Sequence, residues 1–308
     1  MKIRTTLLLL VPLTAVTIHA SQKWELNIGY DGLDWADETS SAGSLHSRYF
    51  LDPLQLAGPE PLAEATFVER PRTLDFFVGL TELNIDYTDA YEYHADSDET
   101  RFGFGYTHRR PTSPHAFSIS YEYASVSEKA VISQVGPPQE LLYEAATDGD
   151  IHTLRLGYHY YLTPHITLGV EGSAERERSD PAFWDRDRYN LDLVGRWLHP
   201  LGGERWLALH GSIGRFETQN IVHASDGSQT KFTFDGTNMS LGLEFYLSRT
   251  TSLGISGQHE NENNTDTLTA TARHFFSEKL AVGLHVGRIL IDYGEDGTTY
   301  GGALTLRF

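Results

Sequence analysis

The stretch that most constrains this chain is 298–308, TTYGGALTLRF. Tyr300, Gly302, Leu304, Leu306 and Phe308 share one parity; Thr299, Gly301, Ala303, Thr305 and Arg307 share the other. Period-two alternation over this length predicts a strand with one apolar and one wet face. The apolar face runs out to an aromatic with no polar residue following it. In water such an edge is an aggregation hazard. In an outer-membrane barrel it is ordinary, because the aromatic rests in the interfacial girdle. The expected fold is all-β, a transmembrane antiparallel β-barrel closed by this strand.

Composition bears on that expectation. The 308 residues carry a formal charge of -18 and no Cys, and their mean hydropathy is negative. A barrel dilutes its own hydropathy by alternating lipid-facing and water-facing residues, so the average does not argue against it. The lack of Cys excludes a disulfide scaffold, a CxxC redox site and a thiolate zinc site. It also suits a protein that crosses an oxidising compartment. The acidic balance argues against nucleic acid as a partner. Residues 1–20 read as a signal peptide: Lys2 and Arg4, an apolar run over 7–18, and Ala20 ahead of a cut before Ser21. Residues 21–308 then form a single barrel domain. No other run approaches the ~20 apolar residues of a membrane helix.

Alternation recurs along the chain, at 22–31, 45–51, 72–88, 100–106, 117–123, 154–162, 166–174, 189–197, 207–213, 239–247, 253–257, 268–272 and 280–286. With the terminal strand this makes about fourteen, an even number as single-chain bacterial barrels have. The parity of 72–88 slips near Leu80–Leu83, which predicts a bulge. Connections alternate in length. Short ones lie at 110–115, 163–165, 199–204, 248–250 and 277–279; long acidic ones lie at 31–43, 88–99, 127–149, 176–187, 217–231 and 259–267. That pattern predicts tight periplasmic turns and long extracellular loops. The short turns also repeat: HYYLTPHITLGVEG (159–172), EFYLSRTTSLGISG (244–257) and RHFFSEKLAVGLHVG (273–287), with a looser copy at 196–211. Aromatics precede each turn, and Tyr160, Tyr161, Trp197, Tyr246, Phe275 and Phe276 read as a girdle at one membrane interface. The plainer reading is cross-strand aromatic pairing in hairpins, but four hairpins in step favour the girdle.

Charge decides which face is wet. In 153–160, Leu154, Leu156, Tyr158 and Tyr160 oppose Thr153, Arg155, Gly157 and His159. The reverse assignment would put Arg155 into lipid at about 2–4 kcal/mol near the midplane. The same reasoning sends Arg101, Glu122, Glu171, Asp192, Arg196 and Glu244 inward, and these seven residues are the candidate pore lining. They either form opposed basic and acidic ladders across a constriction or pair and seal the lumen. Arg288 breaks the rule, sharing parity with Leu284 and Val286, and is expected at the outer rim or past a bulge.

Two irregular segments are candidates for narrowing the lumen. One is 129–146, the longest outer connection; the other is 53–71, with four prolines on the periplasmic side. Each either folds inward or packs on the rim. Acid collects in the outer connections, including Asp34, Glu38, Asp96, Asp98, Glu99, Asp185 and Asp187. Such runs are ordinarily a solvated surface; a functional mouth of this kind enriches cations or bridges divalent ions to lipid headgroups. No EF-hand, HExxH, Walker A or GxSxG pattern occurs, and no metal or cofactor is expected. An enzyme whose Ser and His converge from distant strands is not excluded by spacing.

The segment YFLDPLQLAGPEPLAEATFVERPRTLDFFVGL (49–80) resembles a P-L-A-E-A-x-F-x-x-R stretch that joins early strands in the general bacterial porins of Gram-negative outer membranes. It covers about a tenth of the chain. The resemblance implies a porin-like barrel and supplies no substrate or site residues. The expected function is passive diffusion of small hydrophilic solutes or ions, with mild cation preference. The expected partners are outer-membrane lipid and lipopolysaccharide, and the assembly machinery that would engage the terminal strand. The rival readings are a closed structural or adhesive barrel acting through its acidic loops, and a barrel enzyme.

Overall fold

The computed structural model describes residues 22–308 except 36–37, 57, 89–90, 135–140, 181–183, 224–227, 262–263 and 292–295. The signal-peptide segment and most of the acidic stretch DYGEDG (292–297) therefore lie outside the described residues. Fourteen strands run in chain order. They are β1 (Gln22–Trp35), β2 (Glu38–Leu54), β3 (Thr73–Thr88), β4 (Tyr91–His108), β5 (His115–Gln134), β6 (Leu141–Thr163) and β7 (Ile166–Asp180). The second half is β8 (Trp184–Gly202), β9 (Arg205–His223), β10 (Gln229–Ser248), β11 (Thr251–Glu260), β12 (Thr265–Ser277), β13 (Leu280–Ile291) and β14 (Gly297–Arg307). Every strand pairs antiparallel with its chain neighbours, and β1 pairs with β14 from Glu25↔Arg307 to Trp35↔Gly297, closing the barrel. Closure leaves no free sheet edge, which answers the hazard that a bare terminal strand poses.

The two faces divide as alternation requires. Leu154, Leu156, Leu191, Leu193, Leu241, Ile255 and Leu284 are among a broad set of large apolar side chains exposed on the outer wall. An apolar band of this extent has no counterpart on a soluble monomer, and lipid is the solvent that matches it. Among the described residues no helix is long and apolar enough to cross a membrane. The shortest strand has 10 residues, about what a tilted strand needs to span a bilayer.

The start of β1, the end of β14 and the short turns lie at one end of the barrel, here the inner end. The turns share one construction. Ser113, Thr163, Ser248 and Ser277 each accept, through the side-chain hydroxyl, the backbone N–H two residues on, the local bond that Ser and Thr offer a turn. The register shifts by one residue just before three of these turns, between Tyr161 and Thr163, Tyr246 and Ser248, and Phe275 and Ser277. The looser copy turns through Gly202 and Gly203, both at positive φ, where a Cβ would be strained. At the outer end the long connections are mostly strand: β1 and β2 pair as far as Trp35↔Glu38, and β5 and β6 as far as Ser133↔Leu141. The described parts of 129–146 therefore belong to the β5–β6 hairpin, and residues 135–140 lie outside the described residues. The bulge expected near Leu80–Leu83 is absent; β3 keeps an unbroken register with both neighbours there. Leu80 and Leu83 sit on opposite faces of a strand whose outer half has risen toward solvent, so parity alone is a poor guide at that height. Arg288 lies at the outer end of β13, exposed and paired with Asp296 at 3.2 Å, as a rim position allows.

Candidate functional site

Among the described residues the one long departure from strand is 55–72, and its sequence explains its shape. Pro61 precedes a short 3-10 turn, Leu62–Glu64, and Glu64 N–H bonds back to the Pro61 carbonyl at 2.9 Å. The helix α1 (Ala65–Glu69) follows, and Arg70 leaves it in the left-handed region before Pro71, which cannot continue a helix. Two clamps hold the segment's ends together. Arg72 forks onto Asp52 with Nε and Nη2 at 2.8 Å each, while Glu69 accepts the Gln55 and Leu56 N–H groups at 2.6 and 2.7 Å. Bidentate Arg–carboxylate pairing adds geometric precision as well as energy.

So closed, the loop inserts into the inner end of the barrel. Leu62 and Ala65 pack with Phe50 and Leu54 of β2, Phe275 of β12 and Ala281 of β13. Ala63, Phe67 and Val68 pack against Leu198 of β8, Trp206 and Ala208 of β9, and Tyr246 of β10. Burying a side chain such as Leu62 contributes about 2 kcal/mol. Polar contacts continue the ring. Arg70 donates to the Ser113 carbonyl and covers the Tyr161 ring; Arg307 of β14 donates to the Leu62 carbonyl at 3.1 Å; Arg249 reaches the Glu60 and Leu56 carbonyls; His165 meets Glu60 at 3.4 Å. The candidate segment 53–71 therefore folds inward.

Three of the six residues read as girdle face the other way. Tyr161, Tyr246 and Phe275 are 6%, 1% and 5% exposed, and all three touch this inserted loop. Tyr160, Trp197 and Phe276 stay on the outer wall at 41%, 40% and 65%. The reason is the strand period: neighbouring aromatics in Tyr160–Tyr161 and Phe275–Phe276 must point to opposite faces. One member of each doublet meets lipid level, and the other forms the socket.

The anchor of the loop is Glu64, 1% exposed. Its Oε1 accepts from Arg196 Nη2 and from the Tyr246 hydroxyl, each at 2.5 Å, and the Arg196 guanidinium lies 4.9 Å from the Phe67 ring centroid. Arg196 is thus a loop-holding residue. The other six candidates sit higher or apart on the wet faces of their strands. Arg101 bonds Glu122 at 2.7 Å and Glu99 at 2.6 Å, and Arg155 bonds the second oxygen of Glu122 at 2.9 Å. Glu171 meets His159 at 3.2 Å, Asp192 accepts from Asn190 at 2.5 Å, and Glu244 accepts from Ser252 at 2.5 Å. Arg101, Glu122 and Arg155 come together on three adjacent strands and neutralise one another along a single wall. Each of these partners lies on the same or an adjacent strand, so the charges pair along the wall and not across the lumen.

Between the inserted loop and the wall lies a cavity of about 440 Å³. Its lining includes Glu25, Arg48, Arg109, Arg196, Arg273 and Arg307, of which sequence reasoning singled out only Arg196 as lining and Arg307 as inward. Arg307 bonds Glu25 at 2.7 Å, and Arg48 bonds Asp75 at 2.7 Å with Glu25 at 3.6 Å. Arg109 follows β4 in the turn; burial, with the Arg48 and Arg196 guanidiniums beside it, lowers its proton affinity. The available signal was parity, since Glu25, Arg48, Arg273 and Arg307 each oppose an apolar outer face.

Compared with known proteins, the whole chain aligns with outer-membrane β-barrels of solved structure. Omp33 of Acinetobacter baumannii superposes with a TM-score of 0.52 at 15% identity, over 94% of this chain and 99% of that one. A deletion mutant of the monoaromatic hydrocarbon channel TodX superposes at 0.57 with 10% identity over 93% and 90% of the two chains. The toluene transporter TbuX of Ralstonia pickettii does so at 0.54 with 8% identity over 94% and 90%. No protein-family model matches the chain, and no curated protein sequence does. The fold is that of an outer-membrane β-barrel. At these identities the likeness extends to the fold alone, and the porin resemblance of 49–80 has no family match behind it.

Proposed function

We propose that this chain is an outer-membrane channel for passive diffusion of small hydrophilic solutes, and not a catalyst. The observation that carries this reading is the combination of an apolar outer wall with a charged inner wall that encloses a polar cavity. An inner wall this rich in ion pairs is costly to keep unless water fills it. Barrels with Omp33 and the hydrocarbon channels as structural relatives support a conducting role. The inner end faces the periplasm in this reading, and the acidic hairpins face outside, where outer-membrane lipid surrounds the barrel. The mouth carries Asp96, Asp98, Glu99, Asp185 and Asp187, of which Glu99, Asp185 and Asp187 are paired with arginines, and acid left over there would favour cations.

The inserted loop favours a second reading, a closed barrel that acts through its outer hairpins, because the loop touches the wall on nearly every side. Planar-bilayer recording of the refolded protein separates the two. The expected result is discrete conductance steps with a reversal potential of cation sign in a salt gradient. Currents indistinguishable from bare lipid would overturn the channel, and anion sign would overturn the cation clause alone.

A further inference from the structure

The cavity above the inserted loop holds more guanidinium than carboxylate. Five arginines line it: Arg48, Arg109, Arg196, Arg273 and Arg307. Three carboxylates make ion pairs with them, Glu25 with Arg307 and Arg48, Asp75 with Arg48, and Glu64 with Arg196, while Glu171 and Glu244 act on Arg109 and Arg196 from farther off. Among the described residues neither the Arg109 nor the Arg273 side chain makes a hydrogen bond or an ion pair, although both line the same cavity, one from the turn after β4 and the other from β12. Arg109 is also the more buried of the two, near the Arg48 and Arg196 guanidiniums, with Asp75 and Tyr161 close by but in no direct bond to it. An arginine stays protonated under all ordinary conditions, so two guanidiniums without an ion-pair partner face the same cavity, inside a chain whose formal net charge is -18. Arg109 is taken largely out of water, where a charge without a direct partner is expensive, and Arg273 presents an exposed guanidinium to the same space; the compensation the cavity leaves room for is a mobile anion.

We infer that this chamber is a binding site for a small solute bearing carboxylate or phosphate groups, held by Arg109 and Arg273 between the inserted loop and the barrel wall. The planar guanidinium fork matches both oxyanions, two donors to two oxygens. Thr66 of α1 and Thr107 of β4 bring hydroxyls to the same lining, the first from the loop and the second from the wall. A cavity of about 440 Å³ is of the size that takes a metabolite and not only a bare ion. The loop therefore does more than obstruct. It is one wall of a site that exists only while Glu64 holds the loop in its socket.

The site adds a selective station to the proposed channel, yet its test does not depend on conduction. Binding of succinate, inorganic phosphate and glycerol to the refolded full barrel in detergent is measured by titration calorimetry at low and at physiological salt. The expected result is binding of succinate, phosphate or both, weakened by salt, with no heat from glycerol; the stronger of the two anions tells carboxylate from phosphate. Arg109→Gln and Arg273→Gln should each weaken it by about tenfold, while Arg215→Gln, in the outer hairpin, leaves it unchanged. Retained heat-modifiable migration on gels shows that each variant is folded, and Arg273→Gln, being exposed to the lumen, serves if Arg109→Gln does not refold. No anion binding by the wild-type barrel, or equal binding by folded Arg273→Gln, would overturn the site. Loss of conductance with binding intact would count against the channel and leave the site standing.

Discussion

At the scale of single residues, the decisive positions are those where a strand's two faces carry similar side chains. In Tyr160–Tyr161 and Phe275–Phe276 the residue types are alike, and only parity decides that Tyr160 and Phe276 meet lipid level while Tyr161 and Phe275 meet the inserted loop. Glu64 is the other such position, a buried carboxylate with a guanidinium and a phenol on one oxygen. Glu64→Ala leaves the Arg196 charge and the Tyr246 hydroxyl without their acceptor. Removing one partner of a buried pair costs about 3–5 kcal/mol, and the part-exposed Arg196 brings this to about 2–3 kcal/mol. The expected outcome is a loosened loop, read as faster protease cleavage within 55–72 and larger mean current per channel in bilayers. Glu64→Gln, which keeps the shape and a neutral acceptor, falls between that variant and wild type.

At the scale of elements, the 55–72 loop is separable from the barrel that holds it. The clamp of Asp52 and Arg72 lies below it, and β2 pairs with β3 from Phe50↔Thr73 onward without its help. Replacing 56–70 by a short Gly–Ser linker is expected to leave a folded barrel and raise single-channel conductance several-fold; an unchanged conductance would place the constriction elsewhere. This element was only half legible in advance. Four prolines excluded a strand, but direction was not written in the local pattern: Leu62, Phe67 and Val68 find their partners on β2, β8, β9, β10, β12 and β13, all set by long-range closure. The 129–146 segment is also apolar in part, yet its described backbone is held in ladder pairing of β5 with β6.

At the scale of the whole molecule, charge is zoned along the axis. Paired carboxylates and arginines such as Glu175, Glu177, Arg178, Asp185, Arg186 and Asp187 crowd the tall hairpins, while unpaired arginine collects at the inner chamber. The outer wall imposes the complementary rule. Leu241→Arg, at a fully lipid-directed position of β10, is expected to cost about 2–4 kcal/mol. Its neighbour Ser240→Arg, on the wet face, should cost under about 1 kcal/mol. Equilibrium unfolding of both variants in lipid bilayers checks the difference, and equal losses would reverse the face assignment.

Sequence alone determined the barrel, its antiparallel order and which face of each strand is wet, because a two-residue period and the cost of charge in lipid act locally on every strand. The terminal stretch TTYGGALTLRF carried that information nearly by itself: Arg307 is buried against Glu25, and the apolar parity faces out. Only the tertiary structure decided that the lumen is narrowed from the inner end and that arginines from β2, β8, β12, β14 and the β4 turn meet in one chamber. Those residues are brought together by closure of the sheet, a contact between positions up to roughly the chain's full length apart. No local pattern encodes a distance of that kind.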